Sequence, residues 1–148
     1  MGLFDAINTA ATGLSAERLR MDVTAENLAN AQTTKGADGQ PYRRKVVALE
    51  QAGTGAGFGP TLSGVMDRGT GSAAGVRVAG ISADATPNRL VYDPGHPDAD
   101  ARGYVSMPNV QPVTEMVDLI SASRAYEANV TVMQTAKQMF SKTLEILR

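Results

Sequence analysis

Four side chains within eight residues are the chain's clearest candidates for local chemistry: Asp93, His96, Asp98 and Asp100. Carboxylates and an imidazole at that spacing can hold a divalent metal. The intervening Pro94, Gly95 and Pro97 argue instead for a turn, where Asp side chains cap backbone amides. The closing glutamate of a calcium loop is also missing. The expectation is a structural turn and no metal site. A second candidate, Gly53-Thr54-Gly55-Ala56-Gly57-Phe58-Gly59, matches a phosphate loop in glycine content only. It lacks the Gly-Lys-Ser/Thr ending and the helix that should follow, so it reads as a flexible loop. With a single His, no Cys and no strand-to-helix elbow around any Ser, nucleophilic hydrolysis has no candidate set. No catalytic residue, cofactor or metal is expected, and the chain does not read as an enzyme.

If local chemistry is absent, the function lies in how the elements meet other molecules. A net charge of −1 leaves no electrostatic footprint for nucleic acid or anionic lipid, and the longest basic run is only Arg43-Arg44-Lys45. The lack of Cys rules out a disulfide framework. Nothing approaches the run of about 18 apolar residues needed to span a bilayer, so no direct membrane insertion is expected. The start, Met1-Gly2-Leu3-Phe4-Asp5, has neither a basic region nor an apolar one, so a cleaved secretory signal is not expected. Position six is Ala6, where myristoylation wants Ser or Thr.

The distribution of helix breakers divides the chain. All 7 prolines fall between Pro41 and Pro112, and all but Gly2 and Gly13 of the glycines fall between Gly36 and Gly103. Three segments follow: an N-terminal helix over 1–33, a Gly/Pro-rich, β-containing middle module over 34–111, and a C-terminal helix over 112–148. Within the middle, Tyr42 to Gln51, Gly75 to Ile81 and Asn88 to Asp93 have short β-strand character. The expected fold is mostly α with a small β-rich insert, its long terminal helices packing as a coiled-coil-like axial domain.

In the first helix Ile7, Leu14, Met21 and Leu28 recur seven apart, opposite a face carrying Asp5, Asn8, Glu17, Arg20, Asp22 and Glu26. The stripe is thin and rich in Ala and Thr, and such a helix is marginal alone in water. It needs a partner. The C-terminal helix is the stronger signal. After Pro112, a favoured first-turn residue, the seam takes Met116, Leu119, Ser123, Tyr126, Val130, Met133, Lys137, Phe140, Leu144 and Leu147. Glu115 and Asp118 in the first turns suit the helix dipole. A second apolar line through Val117, Ile120, Val132, Met139 and Ile146 widens the face beyond what one thin partner covers. The two ends can pair with each other, but the surplus face marks an interaction surface, and self-association covers it.

At the helix ends a family resemblance appears. Ala25-Glu26-Asn27-Leu28-Ala29-Asn30-Ala31-Gln32-Thr33-Thr34 resembles the N-terminal signature of the flagellar rod and hook axial proteins. Glu115-Met116-Val117-Asp118-Leu119-Ile120-Ser121-Ala122-Ser123-Arg124-Ala125-Tyr126-Glu127-Ala128-Asn129 resembles their C-terminal signature. The middle stretches Tyr42-Arg43-Arg44-Lys45, Val91 to Asp100, Gly103-Tyr104-Val105 and Pro108-Asn109-Val110 are similar to the proximal-rod branch of that family. The stretch from Ala52 to Gly75 is the least matched.

The resemblance implies a structural subunit of the bacterial flagellar basal-body rod, self-assembling into a hollow helical drive shaft that transmits torque and passes exported subunits. Implied partners are copies of itself, other rod proteins and basal-body components, and the flagellar type III export apparatus. The implied place is the rod where it spans the periplasm, reached without signal cleavage. The implied assembly interface comprises Ile7, Leu14, Met21, Asn27, Leu28, Asn30, Met116, Leu119, Tyr126, Val130, Met133, Phe140, Leu144 and Leu147. For Asn27 and Asn30 two compatible readings stand: amides that end a helix, and amides that bond across the junction where helices meet. Competing functions are another axial component, an export adaptor presenting one amphipathic helix to a partner groove, and a metal-dependent enzyme built on Asp93 to Asp100.

Overall fold

The computed structural model describes residues 3–36, 38–52 and 75–146. The glycine-rich stretch from Gly53 to Gly59 and the seam residue Leu147 lie outside them. Two long helices bracket a small antiparallel β insert. Helix α1 spans Leu3–Ala29 and α2 spans Pro112–Ile146, with strands β1 Lys45–Gln51, β2 Val76–Ala83, β3 Arg89–Tyr92 and β4 Tyr104–Met107 between them. The expected fold class holds in its two helices and its β insert. Strand β4 went unread, because Tyr-Val-Ser-Met is too short to stand out without its partner.

The helix boundaries have local causes. Asp5 sits in the first turn of α1 and Glu115 in that of α2, where a negative charge complements the exposed amides. Pro112 opens α2, as its fixed φ and missing N–H allow. At the far end of α1, Asn30 turns the chain out of the helix. Its side-chain amide donates to Glu26 O at 2.9 Å, while its own oxygen accepts from the Thr33 hydroxyl at 3.1 Å.

The strands form two two-stranded sheets, β1 with β2 and β3 with β4. The first ladder ends in backbone bonds from Asp84 N to Arg44 O and from Ala52 N to Gly75 O. In the second, Arg89 faces Met107, Leu90 faces Ser106, Val91 faces Val105 and Tyr92 faces Tyr104. Val105 is buried, whereas Leu90 and Tyr92 on the other face are exposed, the alternation a half-buried hairpin produces.

By compactness the chain divides into two units, each drawing on both helices. The first comprises Met1–Leu19, Ala48–Gly80 and Ala122–Arg148. Here α1 and α2 run antiparallel: Phe4 meets Phe140 edge to face at 6.1 Å, and a Cβ on Gly13 would stand 3.0 Å from Asn129 Nδ2. Its buried side chains include Ala10, Ala16, Ala122 and Ala136, so small residues let the two backbones approach. The start of β2 lies against α1, where Val76 N donates to Thr12 Oγ1 at 3.1 Å.

The second unit comprises Arg20–Val47 and Ile81–Ser121. Val23, Ala31, Val105, Pro108 and Val110 form its apolar core. Two polar side chains, Asn27 and Glu115, are buried as deeply, each at 1% exposure. Buried polar groups are costly unless hydrogen-bonded, so their partners are the centre of this unit.

Candidate functional site

Asn27, from the end of α1, uses its whole hydrogen-bonding capacity. Its Nδ2 donates to Lys45 O at 2.9 Å and to Glu115 Oε2 at 3.1 Å. Its Oδ1 accepts from Lys45 N at 2.8 Å and from the Tyr42 hydroxyl at 2.9 Å. Only a carboxamide has two donors and a two-lone-pair acceptor at this size. It clamps β1 at Lys45 as a neighbouring strand would, and ties that strand to the first turn of α2.

Glu115 completes the arrangement from α2. Its Oε1 accepts from Arg44 Nε at 2.6 Å, and Arg44 Nη2 reaches Asp118 Oδ2 at 3.4 Å. The third acid around the guanidinium is Asp84, 3.7 Å from Nη1. One cation thus serves three carboxylates, of which only Glu115 is fully buried. The Arg44 main chain is held as well, its N–H donating to Asn109 Oδ1 at 2.8 Å while Asn109 Nδ2 donates to Thr86 O at 3.1 Å.

The electrostatics follow the geometry. The hydrogen bond to Glu115 holds the Arg44 pKa above its usual value despite partial burial. Burial pushes the Tyr42 phenol up to about 12, with the Glu26 and Glu115 carboxylates adding to the effect. The Thr86 hydroxyl and backbone amide bond the Asp84 carboxylate and hold its pKa below the usual value, with Arg44 contributing. Each shift favours the protonation state that the network uses.

The acids of this assembly are neutralised by Arg44, and Asp84 is also capped by Thr86. What the assembly can do is hold the end of α1, the start of β1 and the start of α2 in one fixed relation. The sequence pointed to Asn27 through its helix-terminal place, but it read Glu115 and Asp118 as first-turn charges and as part of the C-terminal family signature. Tyr42 and Arg44 stood in a short β-like stretch and a family motif, and Arg44 in a basic run, none of which says that they meet Asn27 and Glu115.

The Asp93–Asp100 stretch is a set of caps. Asp93 Oδ1 accepts from Gly95 N at 3.2 Å, and His96 Nδ1 accepts from Asp98 N at 3.1 Å. Asp100 Oδ1 accepts from both Arg102 N and Tyr104 N, at 2.8 and 2.9 Å. Asp98 Oδ2 accepts from the Thr34 hydroxyl at 2.8 Å. Among the described residues no three potential metal ligands converge.

Of the fourteen residues expected to form an assembly interface, Leu147 lies outside the described residues and the other thirteen fall into four groups. Asn27 is in the network, and Asn30 ends α1. Ile7, Leu14, Val130 and Met133 line an open apolar groove of the first unit, rimmed by Gln134 and Lys137. Met21, Leu28, Leu119 and Tyr126 are half-buried, while Met116, Phe140 and Leu144 are exposed. The deepest line of α2 is instead Glu115, Ala122 and Ala136, with half-buried Asn129 between them. Apolar residues thus remain uncovered along α2: Val117, Ile120, Val132 and Met139 are each about half exposed or more. Among the described residues, no helix is long and apolar enough to cross a membrane.

The comparisons agree with a structural role. A model described as "Flagella basal body rod protein" matches residues 7–37, and one described as "Flagellar basal body rod FlgEFG protein C-terminal" matches residues 101–146. The matched ends include Asn27, Glu115 and Asp118, and they define the class as flagellar basal-body rod proteins. Over its full length the chain is 50% identical to the flagellar basal-body rod protein FlgC of Borreliella burgdorferi, covering 100% of this chain and 99% of the relative. The FlgC of Bacillus subtilis is 47% identical and that of Escherichia coli O157:H7 45%, with 99% of this chain covered in each case and 99% and 98% of the relatives. The chain belongs to the FlgC family of flagellar basal-body rod proteins. Its role is that of a structural rod subunit, not an enzyme, and its place is the basal-body rod.

Proposed function

We propose that the chain builds the rod by packing the uncovered faces of its terminal helices against copies of itself and against other rod proteins. The result is a hollow helical shaft that transmits torque and leaves a passage for exported subunits. The observation that carries this reading is the apolar line of α2, with Val117, Ile120, Val132 and Met139 open to solvent. Burying such side chains stabilises an interface by roughly 1.5–3 kcal/mol each when the burial is complete. The groove lined by Ile7, Leu14, Val130 and Met133 adds a second contact surface. In this reading Phe140, Leu144 and Leu147 extend the interface to the chain's end. Asn27 and Asn30 act beneath it, by fixing how α1 leaves the helical region.

The subunit reaches the rod, where that structure spans the periplasm, through the flagellar type III export apparatus and without signal cleavage. The test separates export, folding and assembly. Val117→Lys and Val132→Lys alter exposed positions, so the monomer keeps its circular dichroism and thermal midpoint. Supplied as the only copy in a flagellated host, each variant is exported but fails to support rod assembly and swimming. Normal motility in both variants refutes the proposed interface.

A further inference from the structure

The outer face of the β3–β4 hairpin holds two tyrosines side by side. Tyr92 and Tyr104 are direct cross-strand partners. Their ring centroids lie 5.3 Å apart with the planes at 65°. Both rings are open to solvent, at 64% and 43% exposure. Gly103, with φ +80, precedes Tyr104, and a Cβ there would stand 3.0 Å from Tyr92 Cε2. That carbon is one of the two positions next to the hydroxyl-bearing carbon, and the missing side chain leaves it uncovered on the β4 side.

We infer that Tyr92 and Tyr104 form an oxidative modification site, at which a one-electron oxidant joins them into an intramolecular dityrosine. Each phenol loses one electron and its hydroxyl proton to give a phenoxyl radical. The radicals couple through the carbons next to the hydroxyl-bearing carbons, forming one C–C bond. The two ring hydrogens at those carbons shift to the oxygens and restore both phenols. The net loss is two electrons and two protons, which reduce one hydrogen peroxide to two waters when a haem peroxidase carries the electrons.

Three features direct the reaction to this pair. A cross-strand partner supplies the second radical at far higher local concentration than any other molecule can. Aromatic side-chain torsions at χ2 are broad, so two exposed rings can turn from edge-to-face into coupling geometry. The chain also contains no Cys, whose thiol readily reduces a tyrosyl radical. The other tyrosines are less suited: Tyr42 gives its hydroxyl hydrogen to Asn27, and Tyr126 is half-buried on α2. The product fastens β3 to β4 and closes the 93–103 segment into a covalent loop. A cross-link of that kind stabilises mainly by restricting the unfolded chain.

The experiment treats the purified full chain with horseradish peroxidase and limiting hydrogen peroxide. The expected product is monomeric, lighter by two hydrogens, fluorescent as dityrosine, and higher in thermal midpoint. Peptide mapping joins Tyr92 to Tyr104. Tyr92→Phe and Tyr104→Phe each abolish the product while keeping the native circular dichroism, whereas Tyr42→Phe and Tyr126→Phe retain it. Intermolecular dimers as the main cross-linked species overturn the inference. So does a link mapped to other tyrosines, or the absence of any link.

Discussion

Asn27 and Glu115 are 88 residues apart in sequence, yet their side chains are hydrogen-bonded at 3.1 Å with both residues almost wholly buried. The bond joins the last turns of α1 to the first turn of α2. Around it Arg44, Tyr42 and Lys45 complete a set in which every oxygen and nitrogen of the Asn27 side chain is satisfied. A network of this kind is favourable only while it is complete, because each orphaned group then bears its full desolvation cost.

Removing Glu115 therefore costs more than one hydrogen bond. Glu115→Ala leaves the Arg44 guanidinium without its closest acid and deprives one Asn27 N–H of its acceptor. Breaking a buried pair typically costs about 3–5 kcal/mol, and solvent access to Arg44 places this case near 3. Asn27→Ala strands the Lys45 N–H and the Tyr42 hydroxyl, for a loss of about 2 kcal/mol. Urea unfolding monitored by circular dichroism measures both. A shift under about 0.5 kcal/mol for Glu115→Ala, the size of an ordinary surface change, would contradict the structural role.

Tyr42 supplies a pH signature. Its folded pKa lies at about 12, raised from 10.0, so the folded state binds the phenolic proton more tightly than the unfolded state. Its contribution to stability is complete below pH 10 and is lost as pH rises through the interval to 12. An alkaline titration followed by phenolate absorbance shows a late step near 12, and Tyr42→Phe removes that step. The same variant loses less stability between pH 10 and 12 than the parent. Finding the late step intact in Tyr42→Phe would assign it to another ring.

The helices were legible because periodicity and breaker placement are local properties. Seven-residue recurrence marked α1 and α2, and Pro112 and Asn30 fell at their boundaries. What periodicity cannot give is which side of a broad apolar stripe turns inward. Ile7, Leu14, Val130 and Met133 have the right spacing but line an open groove, while Ala10, Ala16, Ala122 and Ala136 take the deepest places. Small residues win there because close helix packing excludes larger ones: a Cβ added at Gly13 would already stand 3.0 Å from Asn129 Nδ2. Glu115 was hidden for a different reason. A glutamate in a first turn is ordinarily solvated, and only its long-range partners make its burial tolerable.

Gly75 offers a steric test in the first unit. A Cβ at this position would stand 2.3 Å from Thr12 Oγ1, the atom that accepts from Val76 N. Gly75→Ala forces the strand and helix apart and costs about 1–3 kcal/mol, the range for overpacking. Thr12→Ala removes the obstructing oxygen along with two hydrogen bonds, the one it donates to Thr9 O and the one it accepts from Val76 N, so the double variant recovers part of the loss. A double-mutant cycle measures a favourable coupling between the two substitutions, because the residues touch. Strict additivity would mean that the close approach is relieved elsewhere at no cost.

The turn from Asp93 to Asp100 makes a ranked prediction, because its acids do unequal amounts of capping. Asp100 accepts two backbone N–H groups, from Arg102 and Tyr104, and thereby holds the chain where it enters β4. Hydrogen bonds to a charged acceptor contribute about 1.5–3 kcal/mol, and solvent exposure places Asp100→Ala near the bottom of that range. His96 accepts a single N–H, from Asp98, so His96→Ala costs under about 1 kcal/mol. Calcium, zinc and manganese leave the thermal midpoint unchanged, since among the described residues no three potential ligands converge on one point. A metal site predicts the reverse order, because a lost imidazole ligand weakens binding and, with it, the stability that binding adds. Thermal unfolding of the two variants, with and without each metal, decides between them. A metal-dependent rise in midpoint that disappears in His96→Ala would replace the turn with a binding site.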